Sequence, residues 1–369
     1  AQKFGAGEEE PLRHAVANSI LLSVFCGLFI TAAGEGAAGF VLDLLGTPDH
    51  IYPIGMAYLR VLFAGLPVVT AYNLCACILR SLGDSRTPLY AMVVASLVNI
   101  ALDLLFVMGF GWGVRGAAAA TIIGQLISVF YCLVKMKDIR LLHMKRENFQ
   151  PQGRLRGRLL VLALPMAFQN SVISVGGMIV QSVINGFGVA FIAGFTATNK
   201  LYGLLETAAT SYGYAMVTYA GQNLGAGKKK RISQGMRGGL LIALVTSLGI
   251  GALMLGFGKV ILGWFITADG EEGIQALAIA YHYLSIMSVC LPILYVLHVV
   301  RSCIQGLGNT VLPMVSGFAE FFMRTGAALL LPLAVGESGI FYAEILAWLG
   351  ADLILVPSYF LVMHKIREM

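Results

Sequence analysis

The sequence predicts an all-α, polytopic membrane protein built from two pseudo-symmetric helical bundles. The first observation behind this prediction is the composition: 58% of the 369 residues are hydrophobic, 12% are charged, and the mean hydropathy is +0.81. Soluble proteins carry about 25% charged residues. A chain this apolar lacks the polar surface that would keep it in water, so we expect it to lie in a lipid bilayer.

The second observation is an internal repeat. Residues 2–7 follow the pattern Q-x-x-G-A-G, and the pattern returns at residues 222–227. A longer pattern, Y-L-x6-L-P-x14-L-G-x4-P, occupies residues 58–88 and returns at residues 283–313. A duplication inside a very apolar chain is typical of secondary transporters, in which two similar halves give alternating access to a shared cavity.

Ten apolar segments are long enough to cross a bilayer as helices, which takes roughly 20 residues each. In the second half, the segment 158–221 precedes the Q-x-x-G-A-G motif, whereas the first copy of the motif begins at Gln2. We therefore expect four helices in the first bundle and six in the second. A complete bundle is expected to have six helices, so the first two helices of the first bundle are expected to be absent. Because six spans is an even number, the repeats should be parallel, related by an axis along the membrane normal. The predicted spans are 15–45, 52–80, 88–110, 115–137, 158–187, 190–221, 234–265, 275–306, 311–334 and 339–363.

Basic residues divide the predicted loops into two groups. Lysine and arginine are concentrated in one set of loops and near both chain ends. In the opposite loops Arg115 is the only lysine or arginine, and these loops also contain the acids Asp269, Glu271 and Glu272. By the positive-inside rule the first set is cytoplasmic, and so are both ends of the chain. This predicts an incomplete N-terminal lobe with helices 3–6 at 1–140, a cytoplasmic basic linker at 141–157, and a C-terminal lobe with helices 7–12 at 158–369.

Several function classes find no support in the sequence. The basic residues form no stripe with interleaved aromatic residues, which argues against a nucleic-acid interface. No H-E-x-x-H or G-x-S-x-G motif is present, and the two Gly-Lys pairs lack the flanking residues of a phosphate-binding loop. We therefore expect neither an enzyme nor an ATP-driven pump. The six cysteines lie in apolar segments without a C-x-x-C pair, which argues against disulfides and a zinc site.

Three features resemble the multidrug and toxic compound extrusion (MATE) family: the Q-x-x-G-A-G motif after a second and an eighth helix, the sequence LRSLGDSRTP at 79–88, and Asn99 with Asp103 in the helix that follows. The resemblance implies a twelve-helix antiporter of the plasma membrane, which exports organic, often cationic, drugs or toxins in exchange for Na+ or H+. It implies no cofactor other than the coupling ion, and we expect a monomer.

Asp103 is the strongest candidate for a residue of the ion-coupling site. Asn99 lies four residues earlier on the same helical face, and Thr121 lies at a similar depth in the next, antiparallel helix. Carboxylate, amide and hydroxyl oxygens suit a small hard cation such as Na+, and a carboxylate in a low-dielectric pocket can carry a proton instead. The resemblance implies a further acid on the family's first helix, which would precede residue 1. The alternative is a hydrogen-bond cluster that only ties helices together.

The second half is expected to hold a different charge network. In the second repeat, the position that corresponds to Asp103 is Ala328, so the carboxylate is not repeated. Glu320 and Arg324 are four residues apart with the acid first, the favourable order for a helical ion pair, and Glu344 lies early in the last span. A structural role and a proton-coupling role are both open for this network. Some family members carry a glutamate early in the seventh helix, where Gln169 stands here, which weakens the case for a sodium site of that type.

Two polar faces at helical spacing are candidates for the substrate path, because polar groups on a transmembrane helix should face protein or water rather than lipid. The alternative is that these stripes join helices by hydrogen bonds. Glu206 is the best candidate to attract a cationic drug. The predicted cavity residues are Gln169, Ser174, Met178, Gln181, Asn199, Glu206, Thr210 and Tyr214.

The nearest alternative function is a flippase for lipid-linked saccharides with a related fold. Moving a pyrophosphate group should require several basic residues that face the cavity. The predicted spans hold few basic residues, mostly near span ends or within reach of an acid, namely Arg60, Lys200, Lys259, Arg301 and Arg324. The sequence therefore favours export of organic cations.

Overall fold

The computed structural model describes residues 1–44, 49–50, 52–266 and 270–368, and across these residues the chain is helical without a β-strand. This confirms the all-α fold class. One short helix and ten long helices follow each other as α1 (Gln2–Gly5), α2 (Glu9–Leu44), α3 (Tyr52–Ser81), α4 (Arg86–Asp103), α5 (Gly113–Lys137), α6 (Gly153–Ile184), α7 (Val189–Gly225), α8 (Lys229–Leu262), α9 (Gly270–Gly306), α10 (Val311–Val335) and α11 (Ala343–Glu368). Shorter segments are a π-helical turn at Leu104–Gly109 and 3-10 turns at Arg140–Leu142, Arg146–Phe149 and Glu337–Tyr342.

Each predicted span corresponds to one long helix. Within the described ranges, nine helices are long and apolar enough to cross a membrane, and α7 is not among them. The physical reason is that α7 carries Lys200, Glu206 and a row of hydroxyl and amide side chains. The predicted absence of two helices from the first bundle stays a prediction.

The boundaries differ most at the predicted linker 141–157. Helix α6 starts at Gly153, inside this range, because arginines at 154, 156 and 158 favour a helix that runs on into the apolar segment. Two 3-10 turns, Arg140–Leu142 and Arg146–Phe149, occupy much of the rest. The connection without α-helix is therefore shorter than the sequence predicted.

The helices group into two compact units. The N-terminal unit comprises residues 7–159, and the C-terminal unit comprises residues 1–6 and 160–369. In the N-terminal unit α3 packs against α2 and α5, and α4 packs against α5. In the C-terminal unit α9 packs against α7 and α8, and α10 pairs with α11. The buried Tyr283 ring stacks on Phe195 and Phe341, with centroids 4.7 and 4.9 Å apart, and anchors this core.

Residues 1–6 differ from the expected lobe boundary, which placed them in the first lobe, because α1 packs on α7. The Gln2 side chain donates a hydrogen bond from Nε2 to the Gly306 carbonyl at 3.0 Å. A Cβ atom on Gly5 would overlap the Gln222 carbonyl, and a Cβ atom on Gly225 would overlap the Gln2 carbonyl. The two copies of the Q-x-x-G-A-G motif thus pack against each other, and glycine is what permits their close approach.

Glycines in the left-handed region end helices at matching places in the two repeats. Gly7 and Gly227, the last residues of the two Q-x-x-G-A-G motifs, have φ of +71° and +70°. Gly83 and Gly308, which follow α3 and α9, have φ of +94° and +88°. Glycine adopts this conformation without the strain that other residues would meet, so these glycines close tight turns at the helix ends.

Candidate ion and substrate sites

Asp103 lies where the backbone of the N-terminal unit changes its winding. Helix α4 ends at this residue and continues as the π-helical turn Leu104–Gly109, followed by a bond from the Phe110 amide to the Leu105 carbonyl at 2.9 Å. The rings of Phe106 and Trp112 pack with centroids 5.0 Å apart and support the turn. Single π-helical turns inside α-helices are frequent at functional sites.

One oxygen of the Asp103 carboxyl group lacks a hydrogen-bond partner among the described residues. This atom, Oδ1, is shielded from solvent. The side chain also borders a shallow apolar pocket of about 320 Å³ that is lined by Ile100, Leu104, Val107 and Met108. A shielded carboxylate oxygen without a donor is costly unless a proton or a cation is bound to it.

Asn99 faces α5 at a point of close helix contact. A Cβ atom on Gly124 would lie 3.3 Å from the Asn99 Cβ and 3.0 Å from the Ala95 carbonyl oxygen, so glycine allows the two helices to approach here. The Asn99 Nδ2 atom is buried and, within the described part of the chain, has no acceptor. Asn99 and Asp103 therefore each have a polar atom that no other described residue contacts by a hydrogen bond.

Thr121 is placed differently from its two predicted companions. Its side chain is exposed, and its hydroxyl donates to the Ala117 carbonyl of the same helix at 3.0 Å. Gln125, four residues further along α5, has a buried Oε1 atom with no partner among the residues described. Gln125 was not among the site residues predicted from the sequence, although an amide inside an apolar span is a signal of a functional position.

The C-terminal unit gathers its buried charges into one network. Arg324 Nη2 donates to Glu320 at 3.1 Å and to Glu344 at 2.7 Å, so the structure brings the three predicted network residues together. Glu320 also accepts from Arg301 on α9 at 2.6 Å. Glu320 and Arg324 are each only 5% exposed. Charge-assisted hydrogen bonds therefore compensate the burial of both charges.

A glycine on α6 makes room for the central arginine. A Cβ atom on Gly176 would lie 3.5 Å from the Arg324 Cδ and 3.2 Å from the Phe321 ring. The guanidinium reaches across this gap, and its Nη1 atom donates to the Ile173 carbonyl at 3.2 Å. Helix α6 thus holds the orientation of Arg324 through its backbone.

Three further groups of this region were not assigned to the network from the sequence. Arg301 bonds Glu320, Asp352 lies mid-way along α11, and His298 Nε2 stands 3.9 Å from a carboxylate oxygen of Glu206. An acid inside the last apolar span is itself a functional signal, so Asp352 was detectable. The pairing of Arg301 was not, because contacts between helices depend on packing that spacing does not reveal.

The predicted substrate residues divide by exposure. Gln169 is 3% exposed and packs against Gly317 of α10, so it lies inside the unit and not on an open face. Glu206 is partly exposed, and Met178 is 65% exposed. The other members of the two faces are partly or fully exposed, namely Ser174, Gln181, Asn199, Thr210 and Tyr214.

The N-terminal unit also contains an apolar cavity that the sequence did not predict. It measures about 510 Å³ and lies between α2, α3 and α5, with Leu28, Pro67 and Leu133 among its walls. Lys137 and His143 also line it. In the described ranges, no group of three or more His, Cys, Asp or Glu side chains is arranged to hold a metal ion.

Comparisons with known proteins point to one family. The MatE family model matches residues 1–105 and 165–328 of the chain. The probable multidrug resistance protein YpnP of Bacillus subtilis (strain 168) is 31% identical over 313 residues, which cover 83% of this chain and 69% of that protein. The probable multidrug resistance protein YoeA of the same organism is 27% identical over 293 residues, which cover 77% of this chain and 62% of that protein. The chain thus spans roughly two thirds of the length of these relatives.

A solved structure shares the fold. A transporter of the MOP superfamily from Pyrococcus furiosus superposes with a TM-score of 0.92 at 20% sequence identity, covering 100% of this chain and 82% of that protein. This likeness shows that the two proteins share the same arrangement of helices.

Proposed function

Because this chain belongs to the MatE family, we propose that the protein is a secondary antiporter that exports organic, often cationic, compounds in exchange for H+ or Na+. The names of its Bacillus relatives support drug or toxin export. We place the protein in the plasma membrane with both described chain ends on the cytoplasmic side, since the basic loops fall on that side.

The observation that carries the coupling proposal is the Oδ1 atom of Asp103, which is shielded and unpartnered within the described residues. This atom and the Asn99 Nδ2 atom are buried without partners in the part of the chain that is described, and both belong to a helix that is long and apolar enough to cross a membrane. A charge at membrane depth is costly and is retained where it serves transport. Asp103 is therefore the group we assign to the coupling ion, with Asn99 beside it.

Occupancy of this site is proposed to drive the transport cycle. With a proton or Na+ bound, the Asp103 charge is neutralised and its burial becomes cheap, whereas the empty carboxylate favours a state in which it is hydrated. An ion can shift a conformational equilibrium only by its difference in affinity for the two states. We propose that the two bundles rock between inward and outward openings on this basis, as parallel-repeat transporters do.

The polar faces of α6 and α7 are the proposed substrate surface. Glu206 is partly exposed there and would attract a cation, while Met178 can adapt to ligands of varied shape. Gln169 is left out of this surface because it is buried against α10.

The experiment is transport by the purified protein in proteoliposomes that are loaded with a fluorescent organic cation. An imposed gradient of H+ or Na+ should drive dye movement against the dye's own gradient, while vesicles without protein and vesicles without an ion gradient should show none. Translocation of a lipid-linked saccharide without gradient-driven dye movement would instead favour the flippase and contradict the proposal.

A further inference from the structure

The buried charges of the C-terminal unit form a chain of alternating sign. Glu344 bonds Arg324 at 2.7 Å, Arg324 bonds Glu320 at 3.1 Å, and Glu320 bonds Arg301 at 2.6 Å. The chain crosses from α11 through α10 to α9. The two arginines are thus matched by two glutamates, and no positive charge of this chain remains without a negative partner.

Asp352 of α11 is a further acid that takes no part in these ion pairs. It follows Glu344 on α11 by a little over two turns, which places it about 12 Å further along the helix axis. Arg301 of α9 and Glu320 of α10 are the charged groups within electrostatic reach of it. Within the described residues, no lysine, arginine or histidine nitrogen forms an ion pair with it, and its Oδ1 atom is shielded and has no hydrogen-bond partner.

The charge balance of the region is therefore uneven. Arginine stays protonated in proteins, so Arg301 and Arg324 contribute two positive charges at any relevant pH. Three carboxyl groups of α10 and α11 share their surroundings, and Glu206 of α7 is a further acid nearby, so with all of them ionised the negative charges would exceed the positive charges by at least one. One hydrogen-bond donor of the network also lacks a partner. Arg324 is only 5% exposed, and its Nε atom has no acceptor in the described ranges.

A proton fits this imbalance better than a metal ion. Sodium and similar hard cations need several oxygen ligands, and the neighbouring glutamates already accept from guanidinium groups. A proton needs one oxygen, and it makes the shielded carboxyl neutral, which removes the cost of a buried unpaired charge.

We propose that Asp352 is a proton-binding site, separate from Asp103, and that the alternating chain responds to its occupancy. When the proton leaves to solvent, the new carboxylate competes with Glu320 for Arg301, and the pairing along the chain loosens. What the proton is used for rests on the proposed antiport, whereas proton binding itself does not. The charged and titratable groups near Asp352 and the chain are His298, Arg301 and Tyr283 of α9, Glu320 and Arg324 of α10, Tyr202 and Glu206 of α7, and Glu344 of α11.

The test is infrared spectroscopy of the purified protein at neutral pH, without substrate or ion gradient. A protonated carboxyl group has a carbonyl stretching band that an ionised carboxylate lacks. We expect Asp352→Asn to remove the band of about one carboxyl group per molecule. The matched control is Glu337→Gln, an exposed acid of the same unit, which should leave the band unchanged.

A second variant guards against a folding defect in the first. Arg301→Gln removes one positive charge, so the region should take up one more proton and the band should grow by about one carboxyl group. Gel filtration and circular dichroism check that each variant is folded. A band that is the same in wild type and folded Asp352→Asn would overturn the proposal, as would an unchanged band in Arg301→Gln or a wild-type band that sodium abolishes. Failure of dye transport would leave this readout untouched, so the two proposals fail separately.

Discussion

The two units carry their buried charges in opposite ways. In the N-terminal unit, Asp103 forms no ion pair with the residues described, and its polar neighbour is the neutral Asn99. In the C-terminal unit, Glu320 and Glu344 are held by arginines at 2.6 to 3.1 Å. Both units contain the same repeated sequence pattern. The difference therefore indicates that the charged sites diverged, whereas the helical scaffold of the repeat was kept.

The scaffold shows how closely the repeats still match. The Asp84 Oδ1 atom accepts from the Thr87 amide at 3.0 Å, at the start of α4. At the corresponding place in the second repeat, the Asn309 Oδ1 atom accepts from the Leu312 amide at 3.1 Å, at the start of α10. The same capping geometry is built with a charged residue in one repeat and a neutral residue in the other.

The largest expected effect comes from breaking the compensated network. Arg324→Gln leaves Glu320 and Glu344 buried with less positive charge, and removing one partner of a buried pair costs about 3–5 kcal/mol of unfolding free energy. Thermal unfolding in detergent measures it. The matched control is Arg60→Gln in the N-terminal unit, where the 66% exposed Arg60 side chain lies 4.0 Å from Glu35 and the loss should stay below about 1 kcal/mol. Equal losses in the two variants would remove the contrast between the units.

A smaller effect is expected where the two Q-x-x-G-A-G motifs touch. Gly225→Ala would place a methyl group against the Gln2 carbonyl and should cost about 1–3 kcal/mol of unfolding free energy, because the backbones must separate. Gly238→Ala in α8, whose Cβ would meet no described atom within 4 Å, should be neutral or stabilising by up to about 1 kcal/mol. If both variants unfold at the wild-type temperature, the motif contact is not a packing constraint.

The smallest effect concerns the cap at Asp84. Burial alone would raise the pKa of Asp84, but hydrogen bonds from the Thr87 hydroxyl and from the amides of Thr87 and Arg86 lower it below its ordinary value of 3.8. The ionised cap therefore stabilises the fold fully above that value, and this contribution is lost as the pH falls through the lowered pKa.

Asp84→Asn should copy the neutral cap of the second repeat. We expect a loss of about 0.3–1 kcal/mol of unfolding free energy at neutral pH, as the charge at the helix N-terminus disappears, and a weaker loss of stability on acidification. Unfolding midpoints between about pH 3 and pH 7 measure both, and the wild-type and variant curves should converge at the acid end. A variant as acid-sensitive as the wild type would show that Asp84 is not the titrating group.

Much of the fold could be predicted because local sequence patterns determine it. Apolar run lengths predicted the long helices. The spacing of Glu320 and Arg324 predicted their pairing, because residues four apart meet on one helix face. What remained hidden depends on how helices rotate and pack.

Thr121 illustrates that limit. Its depth was predicted from its distance to the end of the span, but depth does not fix which way a helix faces, and the structure turns its hydroxyl to the Ala117 carbonyl. The contact between Arg301 and Glu320 joins two helices and has no signature in either one. Residues 1–6 pack on α7 because glycines permit it, which the lobe boundary drawn from charge patterns could not anticipate.

The central claim is that the coupling ion acts at Asp103, and the most direct measurement compares two transport modes of Asp103→Asn in proteoliposomes. Dye exchange between equal concentrations needs no net ion movement, whereas gradient-driven dye transport needs coupling. Asp138→Asn, an exposed acid at the end of α5, is the control. We predict that Asp103→Asn keeps the exchange rate within about twofold of wild type. The gradient-driven rate should fall at least about tenfold, and a tenfold change corresponds to about 1.4 kcal/mol. Gradient-driven transport at the wild-type rate in folded Asp103→Asn would contradict the account.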